Sequence, residues 1–218
     1  MNELRTMQTS KQIKKINRKT ILLLLLSFQI AACQNKPNKQ ALELLQQANS
    51  IGLKSNYTNL KDLDNGLRLI NKAIELDNEY FDAYSLKTTF LTAQKDIDEL
   101  ILNNEKIIEL RPDQPVFLIQ RGFFFDIKGD KFKAGKNYEK GLLKYEELLK
   151  TKLNYDFELR MEYLTALETN GDFKKAELEM ERMFQDFPDN EILKVYKAEY
   201  KFKTKEELIQ FWKNGGKD

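Results

Sequence analysis

Histidine is absent from the 218 residues, and cysteine occurs once, at Cys33. The first absence removes the usual general base at neutral pH, and with it the Ser-His-Asp and Cys-His nucleophilic arrangements. The second rules out a disulfide within the chain, and the two together leave a zinc site without its preferred ligands. Nine scattered glycines form no Gly-rich phosphate loop. No metal and no cofactor is therefore expected. The only apparatus left for catalysis is paired carboxylates, such as Glu158, Glu162 and Glu168 with Asp126, as in glycoside hydrolysis. Acids that alternate with lysines usually form a solvated face, so the chain reads as a non-enzyme.

A strong charge imbalance is also lacking once the chain is divided. The net charge of +2 conceals a basic start: residues 1–32 carry six basic side chains and one acid, leaving 30 basic against 33 acidic beyond them. Nucleic-acid binding needs a basic face for the phosphates, and a slightly acidic domain with interleaved signs does not supply one.

Long apolar runs are limited to one place. Lys11, Lys14, Lys15, Arg18 and Lys19 precede Ile21-Leu22-Leu23-Leu24-Leu25-Leu26, and small Ala31-Ala32 follow before Cys33. A charged region, an apolar core and a small-residue cut site are the marks of an export signal. The stretch is shorter than the roughly 20 apolar residues a bilayer-spanning helix needs. Ile30-Ala31-Ala32-Cys33 resembles the lipobox of bacterial lipoproteins. That resemblance implies cleavage after Ala32, acylation of Cys33 and a lipid-anchored protein of the cell envelope. The basic region is longer than usual for that family, which leaves Met1 or Met7 as the start. Gln34 in place of Asp implies the outer membrane, facing the periplasm, if the source is Gram-negative. Residues 33–39 form a polar tether that reaches about 20 Å at ~3.5 Å per residue. The expected domains are thus 1–32 signal peptide, 33–39 tether and 40–218 folded domain.

From Ala41 onward no strand-like alternation of useful length occurs, and apolar residues recur at three- and four-residue steps, which predicts an all-α domain. The chain also repeats itself. Ile74-Glu75-Leu76-Asp77-Asn78 returns 34 positions later as Ile108-Glu109-Leu110-Arg111-Pro112. A degenerate copy, Phe184-Gln185-Asp186-Phe187-Pro188, follows after a further 76, which is one step of 34 and one of 42. Gly129-Asp130 with Ala134 and Tyr138 matches Gly171-Asp172 with Ala176 and Met180 at that same shift of 42. Gly-Asp supplies a helix-ending turn followed by an acidic helix start, and the small Ala permits close helix approach.

These markers resemble the tetratricopeptide repeat, a helix-turn-helix unit of 34 residues. Gly122, Phe125, Gly129, Ala134 and Tyr138 match its pattern in residues 115–156, as do Gly171, Phe173, Ala176 and Pro188 in 157–190. The unit at 81–114 keeps Tyr84 and Pro112 but has Lys95 where the turn glycine belongs. The resemblance implies a right-handed solenoid of antiparallel helix pairs. Thr204-Lys205-Glu206-Glu207 is a capping box and Gly215-Gly216 a helix stop, which frame a C-terminal capping helix with Leu208, Ile209, Phe211 and Trp212 on one face. The eight extra residues of the long unit extend its second helix or the turn after it, because Tyr138, Leu142, Tyr145 and Leu149 keep helical spacing.

By the same resemblance, a protein or peptide partner would dock on the concave side, lined by the first helix of each pair. The positions carried over are Asp82, Ser85 and Thr89, then Ile119, Phe123 and Asp126, then Met161, Thr165 and Glu168. In Phe123-Phe124-Phe125, Phe125 fits the core, and Phe123 fits either an exposed groove or additional core. The function that follows is an envelope scaffold or adaptor; the alternative is an envelope lipoprotein that binds a small molecule or glycan.

Overall fold

The computed structural model describes residues 36–151, 155–199 and 201–215. The lipobox with Cys33, and Gly216, lie outside the described residues. The chain divides into Met1–Lys36 and Pro37–Asp218, and everything that follows concerns the second unit.

Among the described residues the fold is all-helical, with no strand. Ten helices follow in order: α1 (Lys39–Lys54), α2 (Leu60–Leu76), α3 (Phe81–Gln94), α4 (Ile97–Leu110), α5 (Val116–Lys128), α6 (Lys131–Leu149), α7 (Phe157–Asn170), α8 (Phe173–Asp186), α9 (Glu191–Glu199) and α10 (Lys205–Lys213). Short polar side chains start most of them, because a helix's first N–H groups have no partner within the helix. Asp96, Asp130, Asp156 and Asp172 each accept from the backbone N–H three residues on, at 3.0–3.4 Å.

The turns within pairs share one geometry. Lys95, Gly129 and Gly171 all adopt the left-handed conformation, with φ of 60°, 88° and 84°. In each case the following Asp donates its N–H back to the last full turn, to the carbonyls of Leu91, Phe125 and Leu167 at 2.9–3.1 Å. Lys95 thus takes the glycine conformation in spite of its Cβ. The turns between pairs also match: Tyr80, Gln114 and Asn190 donate to the carbonyls of Asp77, Arg111 and Phe187 at 3.1–3.2 Å.

Consecutive helices from α1 to α8 pack against each other, so that α2 to α7 each have a neighbour before and after, and α1 also meets α3, as α5 meets α7. A helix in such a position is covered on more than one side. Accordingly α3 buries Ala83, Tyr84, Thr88, Phe90 and Leu91, which cover a wide arc, whereas α8 buries only Ala176, Glu179 and Met183. The core falls into two clusters, one on α1–α3 around Ile70, Ala73 and Phe90, the other from Leu91 to Tyr196. Gly122 shows how tightly pairs close: a Cβ there would stand 2.7 Å from the Tyr138 ring.

The long unit spends most of its extra residues on α6, which has 19 residues against 14 in α4 and α8. The extension packs inward. Tyr145 is fully buried, its ring tilted against Tyr163 at 5.9 Å between centroids.

Candidate functional site

The last turns of α5 and α7 each carry a buried acid, and the chain's C-terminal segment is seated on both. Asp126 ends α5 with its carboxylate 1% exposed. Its Oδ2 accepts the Tyr138 hydroxyl at 2.9 Å and lies 3.1 Å from Lys205 Nζ, while Lys131 Nζ stands 3.1 Å from Oδ1. Lys205 also rests over the Tyr138 ring, 4.6 Å from its centroid, adding a cation–π contact. Burial first, and then the Asp126 charge, push the Tyr138 hydroxyl well above its ordinary range, so it remains a neutral donor.

Glu168 occupies the equivalent place on α7, and its Oε1 accepts the backbone N–H of Lys203 at 2.9 Å. Phe202 sets its ring beside Phe173 at 6.1 Å, and both Phe202 and Trp212 pack against the core cluster that Phe123 and Met161 also join. At the far end of α10, Lys95 Nζ donates to the Lys213 carbonyl at 2.5 Å. Residues 201–213 therefore run from the end of α7 past the end of α5 to the end of α3. This segment begins extended, and its helix carries its own capping box: Thr204 Oγ1 accepts from Glu207 N at 3.2 Å, and Glu207 Oε2 accepts from Thr204 N at 2.7 Å. No residue of α10 is buried.

The positions carried over from the repeat pattern thus separate into groups. Asp126 and Glu168 come together beneath this segment, and Phe123 and Met161 are half-buried against the core cluster on which Phe202 and Trp212 also pack. Ile119 is buried in the helix interface, with Gly141 so close that a Cβ there would stand 2.7 Å from Ile119 Cδ1. Asp82, Ser85 and Thr89 lie half-buried on α3. Asp82, in the first turn of its helix, is raised by burial and partly lowered again by Arg111, whose guanidinium stacks on Phe81 at 4.5 Å. Thr165 donates its hydroxyl to the Met161 carbonyl of its own helix at 2.9 Å. In the aromatic triplet Phe124 and Phe125 are buried and Phe123 is half-buried.

The carboxylates that hydrolysis would require serve different partners. Glu162 accepts the Tyr145 hydroxyl at 3.1 Å and is raised chiefly by burial. Glu158 is exposed, and Asp126 and Glu168 face the C-terminal segment. Among the described residues no three Asp, Glu, His or Cys could jointly hold a metal ion, and no helix is long and apolar enough to cross a membrane. A shallow depression lined by Asp64, Leu67, Arg68, Asn71, Lys72 and Glu75 belongs to α2 alone.

Several residues central to this arrangement carry no motif. Lys205 was visible only as part of a capping box, and Lys95 only as a missing glycine. Arg160 is 2% exposed and joins α7 to α8 through Glu179 at 2.6 Å and through Asp186. Its signal was a lone Arg at an otherwise apolar helix position. No protein family is matched by this chain, and no curated protein matches it.

Proposed function

We propose that this chain is a lipid-anchored scaffold of the bacterial cell envelope, a tetratricopeptide-like solenoid that docks protein or peptide partners on the face formed by its first-of-pair helices. The observation that carries the reading is the recurrence of one turn geometry at Lys95, Gly129 and Gly171, in register with the 34- and 42-residue steps of the sequence. Arrays of this kind leave one helix of each pair facing a shared surface, which suits recognition of extended or helical segments. The anchor rests on Ile30-Ala31-Ala32-Cys33 and on the short polar tether behind it.

One experiment addresses both halves. Cells expressing the wild type and Cys33→Ala are labelled with a fatty-acid analogue and treated with a crosslinker, and captured proteins are identified. The reading expects label on the wild type, none on Cys33→Ala, and a capture set that depends on the anchor. Label persisting in Cys33→Ala would remove the lipoprotein reading, and a wild type that captures nothing above an irrelevant lipoprotein would remove the scaffold.

A further inference from the structure

We infer that residues 201–215 are a displaceable intramolecular occupant of the surface formed by the ends of α5 and α7, and that this surface takes from a partner protein the same chemistry: a lysine preceding an amphipathic, aromatic helix. The partner half rests on the scaffold reading; the self-occupancy does not.

The segment engages the surface as a ligand would. Its Lys205 supplies a cation to a carboxylate otherwise closed to solvent and covers the adjacent Tyr138 ring, and its Lys203 N–H meets Glu168. Buried acids meet a stretch in which Lys201, Lys203 and Lys205 alternate with Phe202 and Thr204. Yet no residue of α10 is fully buried, and Trp212 reaches the core cluster only as a half-buried ring, so removing the helix opens no cavity of the size a core residue would leave. The site also survives its departure, because Asp126 keeps Lys131 and the Tyr138 hydroxyl. A helix of nine residues is marginal by itself in water, so the released segment loses order and regains it only on docking. A partner segment that offers a better aromatic face in place of Phe211 and Trp212 then displaces it by simple competition.

The test uses the full chain and a fluorescein-labelled synthetic peptide of residues 201–215. The double variant Lys205→Gln with Trp212→Ala loosens the resident segment, and hydrogen exchange reports where protection is lost. The expected result is loss of protection over 205–213 with α5–α7 unchanged, peptide affinity at least ten-fold higher than for the wild type, and loss of that gain when Asp126→Asn is added. Equal peptide affinity in wild type and double variant overturns the proposal, as does a gain that Asp126→Asn leaves intact. Loss of protection throughout α5–α7 also overturns it, by showing the segment to be structural. A positive peptide result combined with no partner captured in cells would reject the scaffold reading and leave the self-occupancy standing.

Discussion

The Tyr138 hydroxyl and Asp126 Oδ2 lie 2.9 Å apart and tie α6 to the last turn of α5, with the Tyr138 ring laid over Gly122 and its oxygen delivered to a carboxylate that water does not reach. The same ring therefore closes a helix pair and positions the acid that faces Lys205.

Tyr138→Phe keeps the ring over Gly122 and deletes only the donor. The expected cost is about 1–3 kcal/mol, the range for a buried acceptor that loses a partner, read from urea unfolding at pH 7. An unchanged midpoint would show that the two lysines satisfy Asp126 alone.

Alkaline pH provides a separate check. Tyr138, Tyr145 and Tyr163 are all raised, first by burial and then by Asp126, Glu162 and Glu146 respectively. A raised folded value favours the protonated form, so the stability from these groups is fully present below their unfolded value of about 10 and declines as pH rises past it. The midpoint of urea unfolding should fall steadily above pH 10, and less steeply in Tyr138→Phe.

Glu162→Gln removes a charge that burial disfavours and keeps an acceptor for the Tyr145 hydroxyl. Because Glu162 is raised in the folded state, its ionisation costs stability above its ordinary value of 4.5. The variant should melt at or above the wild-type temperature at pH 7, and the difference should disappear as pH falls below that value. A lower melting temperature at pH 7 would mean that ionised Glu162 has a partner of its own.

Arg160 gives the opposite case, a buried ion whose loss strands another. Arg160→Ala leaves Glu179 without its closest cation and should cost about 3–5 kcal/mol, whereas Arg160→Met with Glu179→Met should cost much less, since buried pairs are often replaceable by apolar residues of similar volume. Chemical denaturation of both variants distinguishes them; equal losses would assign the effect to packing.

The turns and helix starts could be read in advance because Gly-Asp and the Asp caps act locally, within five residues of where they stand. Phe125 could be placed for the same reason, at the core position beside Gly129. Phe124 and Ile119 could not, because they are buried by what neighbouring helices bring: α5 is covered on more than one side, and Gly141 admits Ile119 into an interface that periodicity in α5 alone does not reveal. Lys95 concealed a turn by being the wrong residue type for it. The return of 201–213 was beyond reach for a stronger reason. Its contacts join residues 29 to 118 positions apart, and no window of sequence records such a pairing.

Most of this domain is held together between consecutive helices, and a chain of that kind can zip from any point and fray from either end. The bond from Lys95 to the Lys213 carbonyl changes that bookkeeping, because it closes a loop of 118 residues and can form only after α5 and α7 are in place. It adds a long-range closure that the stacking of neighbouring helices does not by itself supply. Were that closure lost, the helix pairs would remain packed as they are, since each rests on its neighbours in sequence.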